Sequence, residues 1–146
     1  MGKVDEIRER IASKRKAAEK ATEAASIADW EAFESACEEH GYDAVKRLNL
    51  PRFIEGLPTF LIVKASPSDN LRIFRQRVLK ARKDKGGTPD LAAVDRAMGE
   101  LGRACIVYPD TAGVEAIKAE FPSVEKDAGA VAKSMSEAEE VEEGKE

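Results

Sequence analysis

Apolar residues recur every three or four positions along most of the chain, which is the spacing of one face of an α-helix. The pattern changes at Thr59 to Val63, where a short continuous run of β-branched and aromatic residues is typical of a strand. These patterns predict a mainly α protein. It consists of a small helical domain with one short β-strand or hairpin at about residues 44–65, a long N-terminal helix and an acidic C-terminal tail.

The first predicted helix covers residues 3 to about 25, where good helix formers continue without glycine or proline. One face carries a weak apolar seam that Lys14 interrupts. Its members are Val4, Ile7, Ile11, Ala18, Ala21 and Ala25. The seam predicts either a weak coiled coil or, as the favoured alternative, an amphipathic arm that packs only on a partner. The pair Ser26 and Asp29 has the spacing of a helix start, which predicts a second short helix ending at Gly41.

The predicted strand has apolar residues on both faces. Phe60 and Ile62 point to one side, and Leu61 and Val63 point to the other. Helices of the same chain or a partner must therefore cover both faces. Because an isolated hairpin is marginal in water, pairing of its open edge with another chain remains an alternative.

Capping and stop signals predict four further helices in the second half of the chain. Their expected N-terminal capping residues are Ser66, Thr88, either Asp110 or Thr111, and Ser123. Gly86-Gly87 should end the first of them, and a clear apolar stripe from Leu91 to Ile106 marks the second. The organisation predicted from these signals is an N-terminal helical arm at 1–28, one mainly helical domain at 29–136, and an acidic disordered tail at 137–146.

Charge is unevenly distributed, although the net charge is only -4. Residues 1–40 carry 7 Lys or Arg against 10 Asp or Glu, residues 41–86 carry 11 against 4, and residues 87–146 carry 6 against 14. The predicted helix at 71–85 alone has seven basic residues. Such a face can bind a phosphate backbone, but pairing with acidic segments of the same or another chain is the favoured interpretation.

The sequence offers no pattern typical of an enzyme. His40 is the only histidine, and its place beside Gly41 fits a cation at a helix end. Cys37 and Cys105 are widely separated and are expected to be buried thiols, with no metal and no cofactor bound. The N-terminus lacks a hydrophobic signal region and no apolar run is long enough for a membrane span, which predicts a cytosolic protein.

Several segments together resemble the tail assembly chaperones of long-tailed bacteriophages and prophages. They are Gly56 to Val63, Ser66 to Asp69 followed by Phe74-Arg75-x-Arg77, Leu101 to Pro109, and a last helix after Phe121-Pro122. The resemblance implies a small helical protein of the host cytoplasm that binds the tape measure protein, a very long helical client. Such a chaperone keeps its client soluble until tail-tube subunits assemble, and it is not expected in the mature virion.

The resulting hypothesis places contacts with the client, or with a neighbouring subunit, at Phe60, Ile62, Arg72 and Arg75. Self-association stays open. The alternative function is a nucleic-acid-binding regulatory protein, or a phage structural protein, that uses the basic helix at 71–85. Nucleic acid is the less favoured partner, because no known DNA-binding motif surrounds this helix and aromatic residues are not interleaved with its charges.

Overall fold

The computed structural model describes residues 2–84 and 90–143. Within these residues the chain forms five helices and three strands. In chain order they are α1 (Lys3–His40), β1 (Val45–Asn49), β2 (Phe60–Lys64), α2 (Ser68–Asp84), α3 (Leu91–Cys105), β3 (Ile106–Tyr108), α4 (Thr111–Glu120) and α5 (Val124–Glu143). The predicted mainly α class, with a long N-terminal helix and a hairpin, is therefore confirmed.

Strand β2 is the centre of a three-stranded antiparallel sheet in the order β1-β2-β3. β1 and β2 form the predicted hairpin, in which Val45 lies opposite Lys64. β3 pairs with the other edge of β2, where Ile62 lies opposite Tyr108. Both edges of β2 are thus paired within the chain, and β2 has no edge open to a partner.

Strand β3 was not predicted from the sequence. Ile106 continues the helical spacing of the preceding stripe, and a three-residue strand is too short to show alternation. Helix α3 nevertheless ends at Cys105, because the backbone from Ile106 to Tyr108 pairs with β2. Tertiary pairing here overrides the local pattern.

Different helices cover the two faces of β2, as its sequence pattern predicts. Phe60 and Ile62 pack on the C-terminal half of α1. Leu61 and Val63 pack against helices α2 to α5 on the opposite face. The sheet is therefore a middle layer between α1 and the other helices. Burying each of these four side chains contributes about 1.5–3 kcal/mol, so this short strand is the centre of the core.

Helices α3 and α5 approach each other through glycines. A Cβ atom on Gly102 would lie 1.8 Å from the backbone oxygen of Glu125, and one on Gly129 would lie 2.1 Å from the backbone oxygen of Met98. Both positions therefore need glycine for space. A Cβ on Gly99 of the same helix α3 would meet nothing within 4 Å.

Helix α1 is continuous through the predicted boundary at Ser26 and Asp29, so the expectation of a second helix there was wrong. The reason lies in the side chain of Asp29. Its oxygens accept hydrogen bonds from Thr59 and Tyr108 instead of capping a helix. Ser26 and Asp29 have the spacing of a helix start, but the Asp29 carboxylate makes tertiary hydrogen bonds instead.

Helix α5 was expected to end near Ser136, with an acidic disordered tail at 137–146. The structure continues the helix to Glu143, because alanine and glutamate in this segment are good helix formers. Residues 144–146 of the predicted tail lie outside the described part of the chain. The predicted helix end at Gly86-Gly87 and cap at Thr88 also lie outside it.

Asp110 caps α4 as expected, since its side chain accepts a hydrogen bond from the Gly113 N–H at 2.8 Å. Asp90 caps α3 in the same way. Ser66 does not cap α2: its hydroxyl donates to the Pro67 carbonyl oxygen at 3.0 Å, and its backbone N–H donates to Ser136 Oγ at 2.8 Å. This contact ties the start of α2 to α5.

Candidate functional site

The N-terminal half of α1 extends beyond the folded domain. Every residue from Lys3 to Lys20 is exposed, whereas Asp29 and Cys37 farther along the same helix are buried. We call residues 3–20 the exposed arm. About five helical turns are therefore exposed, and at their end Phe53 lines a groove together with Ala18. Most helices in proteins gain their stability from tertiary packing, so a helix of this kind is suited to bind a partner.

One side of the exposed arm carries an apolar stripe formed by Val4, Ile7 and Ile11. Their exposed fractions are 61%, 40% and 46%. The spacing of three and four residues places the three side chains on one face of the helix. Large aliphatic side chains in this arrangement are the usual anchors of helix-to-helix recognition.

Basic residues border the apolar stripe on both sides. The helical repeat of 3.6 residues places Arg8 and Arg15 along one border and Lys3, Arg10 and Lys14 along the other. Asp5, Glu6 and Glu9 lie on the far side of the helix, whereas Glu19 lies beside Arg15 and Arg8 at the end of the arm. The arm thus has a cationic apolar face and a far face of mixed charge.

The apolar stripe is followed along α1 by a groove at the base of the exposed arm. This groove has a volume of about 760 Å³ and lies between α1, the loop at 53–58 and the start of α4. Ala21 and Ala25 line its α1 side and continue the spacing of the stripe. Leu57 contributes an apolar side chain from the loop. A helix lying along the arm could therefore reach the folded domain at this groove.

A buried carboxylate joins the elements around the groove. Asp29, which is 1% exposed, accepts hydrogen bonds from the backbone N–H and the hydroxyl of Thr59, each at 2.6 Å. Its other oxygen accepts the phenolic hydrogen of Tyr108 at 2.5 Å. Burial, followed by this hydrogen bond, raises the pKa of Tyr108 to about 12. The phenol is therefore a donor at neutral pH, and the network fixes α1 on β2 and β3.

The residues predicted to bind a partner lie in two separate places. Phe60 is 2% exposed and Ile62 is 0% exposed, in the cluster that packs under α1. Arg72 and Arg75 belong to α2, which packs on the opposite side of the sheet. The structure thus buries two of the four residues and does not bring the two pairs together. Phe60 and Ile62 lie beneath the C-terminal half of α1, where a partner does not reach them.

Acidic side chains accompany the basic face of α2. Arg72 lies 3.8 Å from Asp69 and Arg75 lies 4.0 Å from Glu137. Arg77 forms an ion pair with Glu100 of α3. This arrangement agrees with the interpretation that the basic helix pairs with acidic segments of the same chain.

A second exposed cluster lies where α1 meets the sheet. Trp30 is 46% exposed, and its ring makes edge contacts with Phe33 and Phe60 at centroid distances of 5.7 and 5.6 Å. The Arg47 guanidinium lies over the Trp30 ring at 4.2 Å. The Trp30 ring therefore packs partly on the aromatic cluster and is partly open to solvent.

Sequence reasoning recognised the apolar seam of the arm but did not assign its residues to the site. The missing signal was charge placement, because every basic residue from Lys3 to Arg15 lies beside the seam and every acidic one lies away from it. The Asp29 network had no signal of its own. Its sequence spacing also fits a helix cap.

The described residues contain no group of three metal-binding side chains, and none of their helices has the length and apolar character to cross a membrane. Cys37 and Cys105 are buried free thiols, as expected, and burial raises the pKa of Cys105. No protein-family model matches the chain, and no curated protein or solved structure was found to be significantly similar to it.

Proposed function

We propose that this protein is a tail assembly chaperone like those of long-tailed bacteriophages. In this proposal it binds the tape measure protein in the host cytoplasm, keeps it soluble for tail-tube assembly, and is absent from the mature virion. The observation that carries the proposal is the exposed arm, a helix of about five turns with an uncovered apolar stripe.

The physical demands on such a chaperone support this assignment. A protein that keeps a helical client soluble needs an apolar surface that the client can cover, and enough charge around it to stay soluble itself. Val4, Ile7 and Ile11 supply the apolar surface, and the basic residues beside them supply the charge. The client surface is therefore assigned to α1, in place of the buried Phe60 and Ile62.

The contacts of α2 do not favour the nucleic-acid alternative. Arg75 and Arg77, which are near the middle of the basic helix, lie against Glu137 and Glu100. Carboxylates beside a basic face repel a phosphate backbone and compete with it for the arginines. We therefore propose no second function for this helix.

The test is co-expression with the product of the largest helical open reading frame found beside this gene. The variant Val4→Ser, Ile7→Ser and Ile11→Ser removes the apolar stripe and keeps similar helix propensity. A matched control changes three other exposed aliphatic residues, Ile27→Ser, Leu79→Ser and Leu91→Ser, whose exposed fractions are 63%, 56% and 70%.

We expect the client to be soluble, in a complex of defined size, with the unaltered chain and with the control. It should become insoluble with the stripe variant. Equal recovery of client with both variants would assign binding to another surface, and a client that stays insoluble with the unaltered chain contradicts the proposed function. Purified phage particles provide a further measurement, since a virion component would be retained in them.

A further inference from the structure

We propose that the exposed arm selects a partner helix whose own apolar stripe is bordered by acidic residues. This inference rests on the proposed function, because it specifies the chemistry of the client helix at the same surface. The charges placed around Val4, Ile7 and Ile11, and not the apolar stripe alone, set this preference.

When two helices pack along apolar stripes, the residues that border one stripe face those that border the other. On the arm, both borders between residues 3 and 15 carry only basic side chains among their charged positions. Arg8 and Arg15 lie on one border, and Arg10 and Lys14 lie on the other. A bound helix therefore places its own border residues beside cations, and carboxylates there are attracted whichever way the helix runs.

The same placement disfavours pairing of two arms. In a parallel or an antiparallel pair, the basic borders of one copy would face the basic borders of the other. Like charges at these positions oppose association, and Lys14 interrupts the apolar seam of both copies. The arm is thus better suited to a foreign acidic helix than to a second copy of itself.

The acidic end of α5 in a second copy is a poorer partner for the stripe. From Glu137 onward the sequence is EAEEVEEGKE, in which Val141 is the only large apolar residue. This segment supplies carboxylates but cannot cover three aliphatic side chains. The partner that fits the arm is therefore a client helix that has both an apolar stripe and acidic borders.

Two synthetic helical peptides of roughly three heptads test the inference. They share one leucine and isoleucine stripe and differ only in its borders, which are glutamate in one peptide and lysine in the other. Binding of each labelled peptide to the full-length chain is measured by fluorescence anisotropy at low and high salt. We expect the glutamate-bordered peptide to bind about tenfold more tightly at low salt, and the preference to shrink as salt screens the charges.

Charge reversal on the arm provides the matched comparison. Arg8→Glu with Arg15→Glu changes one border, whereas Lys16→Glu with Lys20→Glu makes the same change of net charge on the far side of the helix. The first variant should lose or invert the peptide preference, and the second should keep it. Circular dichroism of each variant checks that helicity is unchanged.

Equal binding of the two peptides, binding of neither, or the same response from both variants would overturn the inference. Sedimentation of the chain alone is a further check, because a dimer that disappears when Val4, Ile7 and Ile11 become serine would assign the stripe to self-association. Client recovery that needs the stripe but ignores Arg8 and Arg15 would leave the proposed function standing without this inference. A peptide preference without client recovery would support the inferred preference for acidic borders and contradict the proposed function.

Discussion

The phenolic oxygen of Tyr108 lies 2.5 Å from Oδ1 of Asp29, and this hydrogen bond joins residues that are 79 positions apart in the chain. Asp29 is the first buried residue of α1, in its C-terminal half, and Tyr108 is the last residue of β3. Thr59, just before β2, donates to the other oxygen of the carboxylate. One side chain therefore anchors the base of the exposed arm to the sheet.

We predict that Tyr108→Phe lowers the free energy of unfolding by about 1–3 kcal/mol, because it removes one hydrogen bond from a buried carboxylate. Denaturant unfolding at neutral pH measures the change. Tyr42→Phe is the control, since Tyr42 is 73% exposed. An equal loss in both variants would contradict a stabilising role for the contact.

The raised pKa of Tyr108 also predicts how this contribution varies with pH. A phenol whose pKa rises from 10.0 to about 12 on folding is stabilised in its neutral form. Its contribution is complete below the pKa of the unfolded state and is lost as the pH rises through about 12. The difference between the unaltered chain and Tyr108→Phe should therefore shrink across this alkaline range. A tyrosinate absorbance step near 12 should be missing from the variant.

The contact between α3 and α5 gives a third prediction. Gly102→Ala should lower the free energy of unfolding by about 1–3 kcal/mol, because the new methyl group would meet the backbone of Glu125 and force the helices apart. Gly99→Ala in the same helix has open space around it. That control should stabilise the protein by about 0.5–1 kcal/mol through helix propensity.

Thermal unfolding of both variants, followed by circular dichroism, measures these opposite changes. If Gly102→Ala were as stable as Gly99→Ala, the two helices would have to be farther apart than described. Gly129→Ala provides an independent check from the other helix, since its methyl group would meet the backbone of Met98.

Much of the fold could be predicted because the sequence patterns and the packing agree. The alternation from Phe60 to Val63 correctly predicted that both faces of β2 are covered, and Asp110 correctly marked a helix start. Strand β3 and the continuity of α1 could not be predicted, because both depend on distant partners. Ile106 pairs with Val63 in β2, and Asp29 binds Tyr108.

The candidate site was harder to predict than the fold. A strongly apolar strand segment indicates burial as readily as binding, and burial is what Phe60 and Ile62 show. The exposed arm has weaker apolar character, so its stripe of Val4, Ile7 and Ile11 was recognised only as a seam. Its exposure depends on where the folded domain begins along α1, and local sequence patterns do not contain that information.

The contacts of Glu125 predict that the folded protein loses stability in acid. Its carboxylate, on a residue that is 7% exposed, accepts hydrogen bonds from Arg103 at 2.5 and 3.1 Å, and the Lys118 ammonium lies 2.8 Å away. The hydrogen bond from Arg103 is the main cause of the lowered pKa of Glu125, and Lys118 adds to it. A lowered pKa in the folded state gives stability that is present above the unfolded value of about 4.5 and is lost as the pH falls below it.

We therefore expect Glu125→Gln to lower the free energy of unfolding by about 1–2 kcal/mol at neutral pH, and to lower it less in acid, where the carboxylate is protonated in both states. Denaturant unfolding across this pH range measures the change. Glu34→Gln removes an exposed carboxylate of α1 and is the control. If the free energies of unfolding of the two variants differed by the same amount at every pH, the Glu125 charge would not be the cause of the lost stability.

The exposed ring of Trp30 gives the last prediction. The Arg47 guanidinium lies 4.2 Å from its centroid and also approaches the rings of Phe33 and Phe60 at 5.9 and 5.4 Å. A cation over an aromatic face at such a site contributes about 0.5–1 kcal/mol, and the arginine stem also covers apolar surface. Arg47→Ala should therefore lower the free energy of unfolding by about that amount.

Because Trp30 is the only tryptophan, its fluorescence reports this contact directly. Arg47→Ala should shift the emission to longer wavelength as water reaches the ring. Lys46→Ala, which changes the neighbouring exposed cation of β1, should leave the emission unchanged. An unchanged spectrum in Arg47→Ala would show that the guanidinium does not cover the ring in solution. The same emission can then follow client binding, which should leave it unchanged if the client stays on the exposed arm and should alter it if the client also covers Trp30.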